Sequence, residues 1–298
     1  MNKISKIILG VVLACLVIGG ALTAIGLTSG KTSDFHVTLA GGKFSTDEAE
    51  IVEGSVDLES FDELKVSVTS LSFEVLEGDS YRLEYRVPKC YVPEVKQSGK
   101  ELSIKQPTIN GIHFGWSGFS VNDTEYYHLI VPKTDDTVKC NITLTSGEFD
   151  NDILNLEGTI KLTSGDVTMK DISYSGDLLL TSGDVKLENI TGKSLRIEKT
   201  SGNTDVKDCS FEEIDVDSTS GNTEFEKLTA DNITFELTSG ELDMELTGDE
   251  KDYNYDLSCT SGEISVNGSS KEHKYKDDNG STKNIKGSCT SGDVDIEF

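Results

Sequence analysis

The side chains of this sequence that are most able to do chemistry form one regular row. The triplet Thr-Ser-Gly occurs eight times in the second half of the chain, and an acid or an asparagine follows each copy. The row reads Glu148, Asp166, Asp184, Asn203, Asn222, Glu241, Glu263 and Asp293. Calcium prefers carboxylate oxygens as ligands, so the candidate calcium ligands are Glu148, Asp166, Asp184, Glu241, Glu263 and Asp293.

The glycines of the triplets set the spacing of those acids. Their spacing is nearly constant until the last two intervals, which are longer, and they are Gly147, Gly165, Gly183, Gly202, Gly221, Gly240, Gly262 and Gly292. A period of about 20 residues is typical of a solenoid, in which each repeat forms one coil stacked on the next. Equivalent residues of stacked coils lie about 4.8 Å apart, so this architecture predicts a ladder of acids along one edge.

The residues around each triplet alternate between apolar and polar types. Ile160 and Leu162 precede Gly165, and Val167 and Met169 follow it, with polar residues between them. This period of two is typical of strands with one buried face, so each coil is predicted to be a strand, a bend and a second strand. Glycine suits the bend because it adopts positive φ without a Cβ clash. The alternative interpretation of the acid row is a solvated acidic edge. The denser nonapeptide repeat of calcium-binding β-rolls is absent from the sequence, which favours this alternative.

These patterns predict an all-β fold after the N-terminus. Residues 140–298 are expected to form a parallel β-solenoid, similar to a β-helix, of about eight coils of about 18–19 residues. Residues 50–139 are expected to form an alternating β region that precedes the coils. Residues 269–287 exceed the usual period and form an insertion. We expect this insertion or a partner to close the last coil, because an uncovered solenoid end invites edge pairing.

The N-terminus predicts a membrane anchor. Residues 7–27 are uncharged and long enough to span a bilayer; a cleaved signal and a lipoprotein signal at Cys15 are the alternatives. Lys3 and Lys6 favour residues 1–6 inside the cell and the rest outside. This predicts a single-pass cell-membrane protein with residues 28–49 as a tether. The formal net charge of −26 argues against nucleic acid as a partner, because phosphates would be repelled.

Two segments outside the repeat are candidates for partner binding. The candidate residues are His113, Phe114, Trp116 and Phe119 in residues 107–123, and Lys271, Lys274 and Lys276 in the insertion. Exposed aromatic side chains suit a carbohydrate or protein contact, or they fold back over the end of the core. The lysines are either a contact surface on a projecting loop or part of a solvated loop.

The cysteines, histidines and serines form no recognisable catalytic pattern. There is no C-x-x-C, H-E-x-x-H, G-x-S-x-G or phosphate-binding glycine motif. This predicts a protein that is not an enzyme and has no cofactor apart from the calcium considered above. Cys259 and Cys289 occupy the same position of successive repeats. If their coils are adjacent, the two side chains form either a disulfide or a stack of small buried residues.

The order of motifs resembles a known family. Gly-Asp-Ser-Tyr between two strands is followed by PEVKQSGKELSIKQ, by HLIVPK and then by the T-S-G-[DE] repeats. This order is similar to the bacterial "putative adhesin" domain family of unknown function, which includes LiaG-like membrane-anchored proteins of the envelope stress response. The resemblance covers residues 55–298. It implies a β-solenoid ectodomain at the cell envelope, and it transfers no catalytic or binding residues.

Three functions are compatible with these features. The first is an adhesin-like binding or interaction module whose partner is a cell-envelope protein or a glycan. The second is a scaffold or accessory subunit of an envelope-stress sensing system. The third is a polysaccharide-acting enzyme of the β-helix type. The absence of catalytic motifs favours the first two.

Overall fold

The computed structural model describes residues 35–40, 43–48, 50–107, 112–116 and 125–298. The regular secondary structure of the described residues is almost entirely β-strand, with two 3-10 turns at Lys89–Tyr91 and Glu250–Asp252. The strands are β1 Phe35–Ala40, β2 Lys43–Glu48, β3 Ile51–Asp57, β4 Glu63–Val68, β5 Ser72–Glu77, β6 Arg82–Pro88, β7 Glu94–Ser98, β8 Glu101–Lys105, β9 Ile112–Trp116, β10 Tyr126–Val131, β11 Thr137–Ser146, β12 Phe149–Asn151, β13 Asn155–Ser164, β14 Val167–Lys170, β15 Tyr174–Ser182, β16 Val185–Glu188, β17 Thr191–Ser201, β18 Thr204–Lys207, β19 Ser210–Ser218, β20 Thr223–Ser239, β21 Leu242–Leu246, β22 Tyr253–Ser261, β23 Ile264–Val266, β24 Ser269–Lys271, β25 Lys274–Asp277, β26 Lys283–Ser291 and β27 Val294–Glu297.

The chain divides into two compact units. The smaller unit comprises residues 1–50 and 109–124, and its described part is a three-stranded antiparallel sheet in the order β2-β1-β9. Two of these strands fall within residues 28–49, the segment predicted to be a tether. The predicted membrane segment, residues 7–27, lies outside the described residues. Among the residues that are described, no helix has the length and apolar character needed to cross a membrane.

The larger unit is a column of coils built as the repeat predicts. Each coil contributes one strand before its bend to an entry sheet and one strand after it to an exit sheet. The entry sheet runs β7-β8-β4-β11-β13-β15-β17-β19-β20-β26-β22-β25. The exit sheet runs β3-β6-β10-β5-β12-β14-β16-β18-β20-β21-β27-β23-β24. Strands of the repeated coils pair in parallel, and their alternating apolar residues are buried in one continuous core.

The column has one coil more than the Thr-Ser-Gly triplets indicate. Strand β4 pairs in parallel with β11, and β5 pairs in parallel with β12, so residues 63–77 form a coil ahead of the first triplet. Its bend carries Thr69 and Ser70 but has Leu71 in the place of glycine. The side-chain oxygen of buried Gln106 accepts hydrogen bonds from the backbone N–H groups of Thr69 (2.7 Å) and Ser70 (3.2 Å). At this end of the column, the Gln106 side chain thus supplies a hydrogen-bond acceptor to the bend in place of a further coil.

The last two coils are stacked in the reverse of their sequence order. Strand β26 lies between β20 and β22, and β27 lies between β21 and β23. The coil of Gly292 is therefore inserted between the coils of Gly240 and Gly262. The expectation of a stack in simple chain order is wrong at this point, because the long insertion lets the chain turn back. Because these two coils are adjacent, Cys259 and Cys289 are register neighbours.

Antiparallel strands cover both ends of the two parallel ladders. At the far end, the insertion supplies β24, which pairs with β23, and β25, which pairs with β22. The prediction that the last coil of the sequence is closed by the insertion or a partner is wrong, because that coil lies inside the stack. The insertion covers the coil of Gly262, which lies at the end of the column. At the near end, β7 covers the entry sheet, and β6 and β3 cover the exit sheet.

Candidate functional site

The acid row has a hydrogen-bonding role within the column. The side-chain Oδ1 of one coil accepts a hydrogen bond from the backbone N–H at the equivalent position of the next coil. The contacts are Asp184 N–H to Asp166 (2.8 Å), Asn203 N–H to Asp184 (2.6 Å), Asn222 N–H to Asn203 (3.2 Å), Glu241 N–H to Asn222 (3.2 Å) and Glu263 N–H to Asp293 (2.8 Å). Asp and Asn share this acceptor oxygen, which explains why asparagines interrupt the row without breaking the ladder.

The six calcium candidates lie along one edge, as the sequence predicts, but they do not converge. Within the described residues, no group of three or more His, Cys, Asp or Glu side chains is arranged to hold a metal ion. The eight glycines of the triplets all have positive φ, between 101° and 132°, which a residue with a Cβ rarely adopts. Hydrogen bonds to the backbone therefore give the row a structural role that requires no metal.

The structural role of the acid row predicts different effects for two substitutions of Asp184. Asp184→Ala removes an acceptor of a 2.6 Å hydrogen bond and is expected to lower the free energy of unfolding by about 1 kcal/mol. Asp184→Asn keeps the acceptor and is expected to change it by less than about 0.5 kcal/mol. Urea unfolding with and without calcium measures both effects. A calcium-dependent stabilisation that Asp184→Asn abolishes would instead support the metal interpretation.

One charged side chain interrupts the apolar core at the bends. Lys199 lies between Leu180 and Ser218 in the register of the entry sheet and is 2% exposed. Its Nζ donates hydrogen bonds to the backbone carbonyls of Gly202 (2.8 Å) and Asn222 (3.2 Å). Burial lowers the pKa of Lys199 to about 8, and the nearby acids only partly oppose this change. The sequence already shows that Lys199 is unusual, because Leu is the commonest residue at this position of the repeat.

Other polar residues occupy core positions in the coils of Gly202 and Gly221. Thr204, Thr223 and Ser218 are each 1% exposed or less. Within the described part of the chain, the Oγ1 atoms of Thr204 and Thr223 find no hydrogen-bond partner. Thr204 and Thr223 are register neighbours on the exit sheet. The middle of the column therefore has a polar layer where the other coils place apolar side chains.

A groove crosses the outer face of the entry sheet. It consists of two adjoining depressions of about 470 Å³ each, which share Gly176, Asp177 and Ser194. Its polar lining residues include Glu157, Thr159, Ser175, Asp177, Lys193, Ser194, Arg196, Glu213, Asp215, Asn232 and Thr234. The groove runs across successive coils, so equivalent positions present hydroxyl, amide and charged groups at about 4.8 Å intervals.

Glycines and a register shift shape the groove. A Cβ atom on Gly158 would overlap the carbonyl oxygen of Cys140, and one on Gly176 would overlap that of Gly158. Neither position can carry a side chain of its own that would cover the backbone there. The coil of β17 also has one residue more than the coil of β15 beside the groove. Thr191 pairs with Ser173 and Leu195 pairs with Gly176, so four steps along one chain segment correspond to three along the other. The additional residue locally interrupts the flat ladder.

Charges of opposite sign alternate across the groove. Asp177, Arg196 and Asp215 are register neighbours on three successive strands. The Nε of Arg196 lies 3.6 Å from Asp215 Oδ2, and its Nη2 lies 3.0 Å from Glu198 Oε2. The guanidinium is about half exposed. Side chains that are fixed on rigid strands and remain accessible are suited to hydrogen-bonding a polar ligand.

The sequence-predicted partner residues lie elsewhere. His113, Phe114 and Trp116 belong to β9, and Phe119 lies outside the described residues. In the insertion, Lys276 pairs with Asp256 at 3.0 Å, and Lys271 Nζ lies 4.8 Å from the centre of the Tyr275 ring. Lys274 is exposed on β25. The insertion lysines thus belong to the strands that cover the end coil, and none of them lines the groove.

The coil architecture corresponds to a known family. The family model described as Toastrack DUF4097 matches residues 61–297, which covers all nine coils. The chain belongs to the Toastrack DUF4097 family. This agrees with the resemblance drawn from the motif order, and the family is one of unknown function. No curated protein matches this Toastrack sequence.

Solved structures similar to this chain include three from Bacteroides and Parabacteroides species. A "putative adhesin" from Bacteroides fragilis is 8% identical, with 84% of this chain and 97% of that chain covered and a TM-score of 0.42. A "putative adhesin" from Parabacteroides merdae is 12% identical, with coverages of 84% and 96% and a TM-score of 0.40. A "putative lipid binding protein" from Parabacteroides distasonis is 14% identical, with coverages of 83% and 94% and a TM-score of 0.39.

Proposed function

We propose that this Toastrack protein is an adhesin-like binding module outside the cell, anchored to the membrane by residues 7–27, whose ligand is a glycan chain lying in the groove. The observation that carries this proposal is the groove across the entry sheet, whose two depressions adjoin. Its hydroxyl, amide and ionic side chains offer both donors and acceptors, which match the hydroxyl groups of sugars. Its length across several coils suits a polymer rather than a small metabolite.

The net charge of the protein favours one class of glycan as the ligand. The net charge of −26 repels polyanions such as phosphate-rich or uronic acid polymers. Arg196 and Lys193 supply the charged donors in the groove, and four acids supply the charged acceptors. A neutral glycan fits this mixture, because sugar hydroxyls accept from the former and donate to the latter. No lining residue of the groove is an exposed aromatic, so single sites are expected to bind weakly and many anchored copies to bind by avidity.

The groove is better suited to binding than to glycoside hydrolysis. A glycosidase needs one carboxyl group that is kept protonated so that it can donate a proton. Arg196 lies in register between Asp177 and Asp215, and its Nε lies 3.6 Å from Asp215 Oδ2. The carboxylates are therefore suited to accept hydrogen bonds from a ligand. This supports the binding module over the polysaccharide-acting enzyme.

Paired substitutions test the proposed groove. The variant Asp177→Ala with Arg196→Ala removes two register neighbours from the groove. We expect it to weaken binding of short neutral oligomers of N-acetylglucosamine by at least about tenfold, which corresponds to about 1.4 kcal/mol. Biolayer interferometry with the immobilised protein measures this. The expected fold is unchanged, because both side chains face solvent.

The matched control lies on the opposite sheet. Lys186 and Asp205 are also oppositely charged register neighbours, exposed on the exit sheet. The variant Lys186→Ala with Asp205→Ala is expected to bind as the wild type does. Equal binding by the groove variant and the wild type, or no binding of these oligomers by the wild type, would overturn the proposed glycan site.

A further inference from the structure

Two cysteines lie next to each other in the core where the last two coils stack. Cys259 on β22 and Cys289 on β26 are register neighbours on parallel strands. They are 4% and 2% exposed. In the sequence, the whole insertion that covers the end coil lies between them. A bond between them would therefore close a loop around that insertion.

The two thiols share one environment. Both sulfur atoms lie within hydrogen-bond range of the Gly292 carbonyl oxygen, Cys259 Sγ at 3.3 Å and Cys289 Sγ at 3.5 Å. The two side chains also interact with each other directly. Both cysteines are free thiols in this structure, which agrees with the prediction of stacked small buried side chains. The other described cysteines, Cys90, Cys140 and Cys209, belong to strands or turns that do not pair with one another.

We propose that Cys259 and Cys289 form a reversible disulfide that fastens the end coil, with its covering insertion, to the inserted final coil. Neighbouring coils lie about 4.8 Å apart, which is within the Cα separations of disulfides but near their lower limit. In-register parallel side chains also keep their Cβ atoms further apart than an unstrained disulfide prefers. Strained disulfides are more easily reduced, so the bond acts as a redox-dependent lock rather than a permanent crosslink.

The chemistry requires an external disulfide oxidant such as oxidised glutathione. One cysteine thiolate attacks a glutathione sulfur, forms a mixed disulfide and releases one glutathione thiolate. The second cysteine thiolate then attacks the protein sulfur of the mixed disulfide and releases the other glutathione. One sulfur–sulfur bond is broken and one is formed, the two cysteines are oxidised, and the two electrons and two thiol protons end on two molecules of glutathione.

The burial of the thiols predicts that oxidation is slow. Burial, together with the neighbouring Cys259, raises the pKa of Cys289 to about 11. The thiolate is the reacting species, so attack requires alkaline pH and a brief opening of the end coil. Oxidation is therefore expected to accelerate at higher pH and in low, non-denaturing urea.

Mass spectrometry of the full chain tests the lock. The protein is incubated with oxidised glutathione at mildly alkaline pH, free thiols are alkylated in denaturant, and proteolytic peptides are compared with and without reductant. We expect one reductant-sensitive peptide pair joining Cys259 to Cys289, together with a rise in melting temperature of about 5 °C that reductant reverses. Cys289→Ser is expected to lose both the peptide pair and the temperature rise, whereas Cys209→Ser, which removes another buried thiol, keeps them.

Two results would overturn the proposal. The first is complete alkylation of both cysteines after prolonged oxidation, including oxidation in low urea. The second is a crosslinked peptide pair accompanied by an unchanged or lower melting temperature, which would show that the bond does not fasten the end coil.

Discussion

Gly183→Ala is expected to lower the free energy of unfolding of the column by at least about 4 kcal/mol. Gly183 has a φ of 131°, and a Cβ at this position would overlap the backbone carbonyl oxygen of Gly165. The neighbouring atom is backbone, so it cannot rotate away. The coils of Gly165 and Gly183 would have to separate at the bend, which weakens the ladder hydrogen bond from Gly165 N–H to the Ser182 carbonyl. Urea unfolding followed by far-UV circular dichroism measures this loss.

Gly248→Ala provides the matched control for this prediction. Gly248 has a φ of 120°, close to that of Gly183, but the nearest atom to its added Cβ is the side-chain Oδ2 of Asp252 at 3.4 Å. This variant therefore strains the backbone, at a cost of about 1–3 kcal/mol, without overlapping another coil. Similar losses for both variants would show that φ alone matters and that the close stacking of the bends does not. A clearly larger loss for Gly183→Ala supports stacking as the reason for glycine in every triplet.

Lys199→Met is expected to raise the free energy of unfolding by about 2–3 kcal/mol near neutral pH. The fall of its pKa from 10.5 to about 8 corresponds to about 3 kcal/mol against the charged form in the folded protein. Methionine has a similar length and no charge, and Leu180 occupies the preceding register position. Replacing a buried charge by an apolar side chain is often stabilising. A less stable variant would instead show that the hydrogen bonds of Lys199 to the bend carbonyls outweigh its burial.

The pH dependence of this effect identifies its origin. Below pH 8, Lys199 is charged in both the folded and unfolded states, and its full cost is present. As the pH rises from 8 to 10.5, the folded protein loses the proton first, so the wild type gains stability relative to Lys199→Met. The advantage of the variant is therefore expected to shrink over this range. Lys161→Met, at an exposed position of the same sheet, is the control and is expected to show no such change.

The repeat made most of the column predictable from the sequence. The glycine spacing and the apolar alternation predicted a bend with a strand on each side, and both appear in every triplet coil. The first coil was missed because Leu71 stands where the other coils have glycine, although Thr69 and Ser70 preserve the rest of the triplet. The reversed order of the last two coils was not predictable, since equivalent strands can pair in either order and the repeat pattern is the same.

The candidate site was less predictable than the fold. The acid row was apparent in the sequence, but its role depends on side-chain contacts between coils. The groove depends on Gly158 and Gly176, which lie outside the triplets, and on the additional residue in the coil of β17. The longer interval between Gly183 and Gly202 was a visible signal of that residue. The sequence pattern alone does not show where in the coil the additional residue lies.

The triplet edge has a structural role, and we propose that the outer face of the entry sheet binds the ligand. The most direct measurement is an NMR titration of the full chain in detergent micelles with short neutral oligomers of N-acetylglucosamine, following backbone amide shifts. We predict saturable shifts confined to residues 157–159, 175–177 and 193–196, with none at the Thr-Ser-Gly bends. Shifts concentrated at the bends or in the insertion, or no shifts in the groove, would contradict the account.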